Sequence, residues 1–290
     1  MRVLITGAGG QLGRELVRTA PPAAVVKAAA RNDLNIGDPA AVRDVVEAFQ
    51  PTVILNAAAY TAVDKAESER EQAWRINAQA PGFLAAAAQR LGHCRMVQVS
   101  TDYVFSGDAA RPYRPDDETG PLGVYGESKL AGESAVLQGL GPRAVVLRTA
   151  WVYGAHGKNF LNTMLRLMSE RGSVRVVADQ IGCPTATAPL AETIWAFAAR
   201  PELAGVYHWS DAGVASWYDF AVAISEEAGA CELLPASVEV LPIATEDYPT
   251  PARRPRFSLL DGRATEDALG ISPLHWRVRL RQVLNEIKNG

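Results

Sequence analysis

The first thirteen residues, "MRVLITGAGGQLG", leave this chain little choice of fold. Val3, Leu4 and Ile5 make a short apolar run of strand type. Gly7, Gly10 and Gly13 follow as GxxGxxG, with a helix expected to open at about Gln11. A strand, a glycine turn and a helix N-terminus together form an anion site, because free backbone N–H groups and the helix dipole both favour negative charge there. Glycines also let the backbone approach a pyrophosphate and let the helix pack close to the sheet. A glycine-rich turn with no ligand is the alternative; its place at the head of a βαβ pattern favours a dinucleotide.

The pattern continues in the same sense. "RVLITG" (2–7), "TVILNAA" (52–58), "RMVQVST" (95–101) and "RAVVLRT" (143–149) are near-continuously apolar, as strands covered on both faces must be. Between them Val42, Val45, Val46 and Phe49 fall at i, i+3, i+4 and i+7, and Pro39 suits the first turn of that helix. A further helix is expected over about 68–79, and Pro81 should open a separate Ala-rich helix to about Leu91. Strands alternating with helices give right-handed crossovers and an α/β, doubly wound parallel sheet of the Rossmann type. Residues 1–150 are expected to form this dinucleotide-binding domain. Beyond residue 150 the pattern loosens and prolines concentrate between Pro235 and Pro255. Residues 151–290 should mainly form a smaller substrate-binding lobe, with some segments returning to the main sheet.

Composition narrows the function. At 290 residues, with 48% hydrophobic and 21% charged side chains, there is ample material for a buried core. No apolar run approaches the ~20 residues of a membrane span, and the N-terminal run is too short for a signal peptide, so the chain is expected to be cytoplasmic, with no membrane partner. A net charge of −3 gives no reason to expect a nucleic-acid partner. Cys94, Cys183 and Cys231 are far apart and odd in number, which suits reduced thiols rather than a disulfide framework or metal knuckle.

The second strand should end near Ala29–Ala30. No acidic residue stands there to grip an adenosine 2′-hydroxyl; Arg31 does, which suits the 2′-phosphate of NADPH or is simply a solvated arginine. Farther on, "VYGESKLAGE" (124–133) places Lys129 four residues after Tyr125, on one face of a helix whose start is suggested by Pro121. Such a pair is common on exposed helices. It is also what a proton donor with a cation beside it looks like.

Company decides between those readings. "NAAAYTAVDKAE" (56–67), "STDYVF" (100–105), "VYGESKLAGE" (124–133), "RTAWVYG" (148–154), "DQIGCPT" (179–185) and "YPTPARRP" (248–255) follow the glycine turn in order. Together they resemble the dTDP-4-dehydrorhamnose reductase family of the extended short-chain dehydrogenase/reductase superfamily, from residue 2 to about 287. YxxxK and GxxGxxG mark only the superfamily, whereas the first, second and last of these motifs are more specific. The resemblance implies reduction of the 4-keto group of a nucleotide-linked 6-deoxyhexulose by NADPH, or by NADH. It implies Tyr125 as the catalytic tyrosine, Lys129 as its partner and Thr101 beside them, with Thr101, Asp102 and Trp151 touching the sugar. Gly10, Gln11 and Leu12 would cradle the pyrophosphate. Ala58, Ala59, Tyr60 and Thr61 would line the cofactor, and Val99 would lie near the nicotinamide. Many members have Asp-Ile or Asp-Leu where this chain has Asn35-Ile36, which bears on adenine-side contacts rather than on catalysis. Mg²⁺ is implied for some members, but no ligand spacing places it here. A monomer or a homodimer is expected.

The chemistry fits these residue types. Hydride delivered to a ketone leaves charge on oxygen, which needs a proton and hydrogen-bond donors. A nearby ammonium is expected to lower the Tyr125 phenol below its usual pKa of about 10, and the helix dipole to act in the same direction. Asp102 is alternatively a turn residue, and Trp151 plain core. Arg253, Arg254 and Arg256 form a basic cluster suited to a diphosphate or to solvent; Arg254 matches the family pattern. A nucleotide-sugar dehydratase would follow Thr101 with Asp-Glu, where this chain has Asp102-Tyr103. A 4-epimerase, a related 4-ketoreductase and a non-catalytic regulatory subunit of methionine adenosyltransferase are the remaining alternatives.

Overall fold

The computed structural model describes residues 1–234 and 238–290. Pro235, at the edge of the proline-rich stretch, lies outside the described residues. Five strands of the first half, β1 (Arg2–Thr6), β2 (Val25–Ala29), β3 (Val53–Asn56), β4 (Arg95–Thr101) and β5 (Ala144–Thr149), join Gly205–His208 in one sheet. Its order is β2-β1-β3-β4-β5-(205–208), parallel throughout. The strand order reverses between β1 and β3, so the crevice at their carboxyl ends is the topological switch point where open α/β sheets take ligands.

Both faces are covered, which is why Val3, Leu4 and Ile5 are fully buried. On one face Leu4, Ile54 and Met96 meet helices α2 (Pro39–Phe49), α5 (Ala80–Arg90) and α6 (Val124–Leu140). On the other, Val3, Ile5 and Val97 meet α1 (Gln11–Arg18) and α8 (Thr187–Ala198). Between them in sequence come α3 (Val63–Ala66), α4 (Arg70–Trp74) and α7 (Phe160–Glu170). In α2 the pattern is as expected: Asp38 caps it, Pro39 opens it, and Val42 and Val46 are buried.

The helix boundary expected at Pro81 is absent. One helical run extends from α4 through a π-turn, Arg75–Gln79, into α5. Proline at 81 cannot donate to the Asn77 carbonyl four residues back, and the π-turn accommodates the missing bond without ending the helix. The Asn77 carbonyl then faces α6, where a Cβ on Gly132 would overlap it.

A second core lies beyond residue 150. Tyr153, Leu161, Phe220, Ile224, Leu280 and Leu284 pack α7 against α9 (Trp217–Ala230) and α11 (Trp276–Asn289). Strands Ser173–Val177 and Glu239–Ile243 pair beside them. Other segments of this half lie on the main sheet: α8, strand Gly205–His208 and α10 (Arg263–Leu269). No helix among the described residues is long and apolar enough to cross a membrane.

Gly132→Ala should force α6 off the π-turn. A loss of about 1–3 kcal/mol is expected, read as a lower urea midpoint, and an unchanged midpoint would show that the helices have slack here.

Candidate active site

Gly7 turns the chain at the end of β1 with φ +73°, and a Cβ there would come within 2.6 Å of the Ala58 nitrogen. A Cβ on Gly13 would overlap the Gly7 carbonyl oxygen, so α1 can sit this close only with glycine at 13. Gly10 is the N-cap of α1, which leaves the amides of Gln11 and Leu12 in its first turn. Beside this turn is a cavity of about 420 Å³. Its walls include Gly7, Gly10, Arg31, Asn35, Ile36, Ala58, Ala59 and Tyr60, all expected from the sequence. Gly9, Ala30, Leu34, Gln72 and Ile76 also line it, and Gln72 and Ile76 had no local signal because they arrive from the α4–π-turn run.

Thr61 is not among those walls; its carbonyl accepts the Val63 N–H. Leu12 is buried in the core, and the Gln11 side chain bridges to the second half of the chain, donating to the Val152 carbonyl at 3.0 Å. Asn35 spends its acceptor on the Gly37 N–H at 3.1 Å. Arg31 is exposed on the cavity wall and makes no ion pair among the described residues.

Tyr125 lies beside Thr101 at the carboxyl end of β4, and Lys129, one turn along α6, reaches the Val99 carbonyl of the same strand. Helix α6 starts at Val124, after the N-cap Gly123, and not at Pro121. Its first free amide is capped from a distant segment, with Val124 N–H donating to Glu67 Oε1 at 2.9 Å. A Cβ on Gly126 would overlap the Tyr103 carbonyl, so the helix lies directly on the turn after β4. The Tyr125 ring is edge-on to Tyr103, centroids 5.5 Å apart. Thr101 is buried, accepts the Tyr103 N–H at 3.2 Å and donates to Asp102 Oδ1 at 3.1 Å.

The electrostatics correct one expectation. The Tyr125 phenol is held above its ordinary range by burial, against the opposing hydroxyl of Thr101. The net shift is upward, opposite to the one expected from a nearby ammonium, because burial dominates. Lys129 is itself buried and lowered to about 8, and its Nζ donates to the Val99 carbonyl at 2.7 Å. Val99 thus enters the site through its backbone, as an acceptor for Lys129. Burial likewise raises Asp102 to about 6.

Trp151 is partly buried, packed against the core cluster of Val104, Phe105 and Ala150. It sits at φ +48°, a strained value for a tryptophan, stacked 3.5 Å from Trp217 and over Gly182. Trp217, at the head of α9, was not found from the sequence, having no motif of its own. Arg254 is half-buried rather than solvated: it donates to Tyr103 Oη at 3.0 Å and pairs with Asp64 at 2.7 Å, while Arg253 and Arg256 are exposed. Asp64, Tyr103 and Glu67 all lay inside the quoted motifs, yet their roles appear only when the segments meet. Among the described residues there is no group of three or more His, Cys, Asp or Glu side chains that could hold a metal ion.

Comparison with known proteins gives a consistent picture. The model of the RmlD substrate binding domain family matches residues 1–289. A dTDP-4-dehydrorhamnose reductase of Burkholderia thailandensis is 44% identical over 289 residues, covering 96% of each chain. A probable dTDP-4,6-dihydroxy-2-methyloxan-3-one 4-ketoreductase of Streptomyces antibioticus is 42% identical, covering 99% of this chain and 96% of its own. The crystal structure of a dTDP-4-dehydrorhamnose reductase from Bacillus anthracis in complex with NADP superposes with a TM-score of 0.92 at 37% identity, over 98% of this chain and 99% of that one.

The raised Asp102 carboxyl has a consequence for stability. Between about pH 4 and 6 the folded chain holds a proton that the unfolded chain has released, so this group's contribution falls as pH rises through that window and is flat above it. Asp102→Asn should remove a change on the order of 2 kcal/mol in the unfolding free energy between pH 4 and 7. Equal pH slopes in both proteins would rule this out.

Proposed function

Because the chain belongs to the RmlD substrate binding domain family, and within it to the dTDP-4-dehydrorhamnose reductases, we propose that it reduces the 4-keto group of dTDP-4-dehydrorhamnose with NADPH. The observation that supports this reading is Tyr125 beside Thr101 at the carboxyl end of β4, with Lys129 bonded to Val99 of that strand, on the same edge of the sheet as the glycine cradle.

NADPH fits the residues present. The cradle of Gly7 and Gly13 has no room for a Cβ, the N–H groups opening α1 suit a pyrophosphate, and Arg31 on the cavity wall suits a 2′-phosphate. When bound there, NADPH would supply the hydride for the carbonyl carbon. Thr101 and Tyr125 hydrogen-bond the carbonyl oxygen, and Tyr125 Oη gives it a proton as charge develops. Burial keeps the phenol protonated until then, and an alkoxide is a far stronger base than a phenolate, so the transfer runs downhill from a phenol held above its usual range. Lys129, one turn along α6, supplies the positive charge that offsets the phenolate left behind. Arg254, fixed by Asp64 and Tyr103, offers its guanidinium to the sugar diphosphate, and Asp102 and Trp151 bound the sugar.

A related 4-keto sugar is the second reading, favoured by the 42% identity to the Streptomyces antibioticus ketoreductase. Following reduced-nicotinamide absorbance with each candidate sugar, and with NADPH and NADH side by side, separates the two. No consumption of either cofactor with any nucleotide-linked 4-keto sugar would overturn the enzymatic reading in favour of a binding subunit.

Tyr125→Phe should keep the fold and NADPH affinity while lowering kcat by about 10²-fold or more; full turnover would remove Tyr125 as the acid. Arg254→Ala should raise KM for the nucleotide sugar more than it lowers kcat, and steady-state kinetics showing an unchanged KM would take Arg254 out of the binding site.

A further inference from the structure

A line of buried polar side chains crosses the sheet beneath the active site. Thr6, Asn56 and Gln98 are register partners on β1, β3 and β4, each at most 2% exposed. Below them on the same face the partners are Leu4, Ile54 and Met96, all core. A polar rung on an apolar face costs desolvation at every member, so its hydrogen bonds must be complete.

Every side-chain oxygen and nitrogen of the rung has a partner, and the bonds run one way. The Ala58 N–H donates to Asn56 Oδ1 at 3.2 Å, which fixes that amide's orientation because a backbone N–H can only donate. The Thr6 hydroxyl donates to the same oxygen at 2.5 Å. Asn56 Nδ2 must then face Gln98, and it donates to Oε1 at 2.7 Å. Gln98 Nε2 is left to donate to the Val99 carbonyl at 2.9 Å. That carbonyl is the acceptor of Lys129 Nζ. The direction of every donor is thus set by Ala58, whose nitrogen abuts Gly7 in the dinucleotide cradle.

We infer that Gln98 is a positioning residue for the reaction: its amide, oriented from the cradle through Asn56, holds the Val99 carbonyl as the fixed acceptor for the Lys129 ammonium. The inference rests on the reading of Tyr125 and Lys129 as the reductive pair. Val99 is then a backbone group linked both to the cofactor cradle and to the proton-donating helix, and a displaced carbonyl would carry Lys129 with it.

Among the charged groups near Lys129, Glu133 acts on it directly, favouring the ammonium against burial. Glu133 follows it by one turn on α6 and pairs with Arg148 of β5. Asp102 and Tyr103 act on Tyr125 from the turn after β4. On α4 and α3, Arg70 pairs with Glu127 and Asp64 with Arg254.

Two Gln98 variants test the inference. Gln98→Met keeps an unbranched chain of similar length without the donor, and should lower kcat tenfold or more at near-native melting temperature. Gln98→Glu puts a carboxylate beside the ammonium and should raise the Lys129 titration midpoint by one unit or more. The chain has five lysines, so the midpoint can be followed by carbon-13 NMR of labelled lysine, with Lys129→Arg giving the assignment. That readout needs no turnover: if the wild type consumes no NADPH, the functional reading fails while the titration still tests the contact. A kcat within twofold of wild type in Gln98→Met, or an unmoved Lys129 midpoint in Gln98→Glu, would overturn the inference. A drop in melting temperature with kcat and midpoint unchanged would assign the rung to stability alone, and equally overturn it.

Discussion

The site depends on how closely α6 can approach two backbone carbonyls. Gly126 lies against the Tyr103 carbonyl and Gly132 against that of Asn77, and neither position has space for a methyl group. Side chains give way by rotating; main-chain carbonyls do not, so these contacts fix the height and rotation of the helix over β4. Tyr125 adjoins the first contact and Lys129 lies between the two. The Asn77 carbonyl is itself exposed to α6 because Pro81 cannot bond it, so a proline in one helix prepares the docking of another.

Beneath the helix, the ion pair of Arg148 with Glu133 completes the fixation. Both side chains are almost wholly buried, with Arg148 Nη2 2.7 Å from Glu133 Oε2, and Ser100 also donates to Glu133. A buried pair of this kind adds little net stability over well-packed apolar groups, but losing one partner leaves an uncompensated charge. Its value is geometric: it ties α6 to β4 and β5 next to Thr101. The Thr6–Asn56–Gln98 rung does the corresponding work from the side of the cradle. Polar groups therefore gather on one end of one sheet face, where strands β1, β3 and β4 run out toward the switch point.

Burial sets the chemistry in an unexpected way. A cation that simply lowers the tyrosine's pKa would be the simplest arrangement for Tyr125 and Lys129. In the folded chain both groups are desolvated, so the phenol is raised and the ammonium lowered, each toward its neutral form. The phenol is thereby kept in its protonated state.

The sequence by itself determined the first-half strands of the sheet, the glycine turn and eight of the cavity residues, and it pointed to Tyr125, Lys129 and Thr101. These are legible because strand periodicity, glycine spacing and short motifs are local, and the chain writes them in consecutive residues. Tertiary structure decided the rest. The run through Pro81 depends on a π-turn, the start of α6 on Glu67 from another segment, and the ordering of Arg254 on Asp64, 190 residues away. Trp217 meets Trp151 and Lys129 meets the Val99 carbonyl only after the lobes and helices have packed. Such contacts join positions whose separation no periodicity records, and the pKa shifts follow from a burial that exists only once the chain has closed.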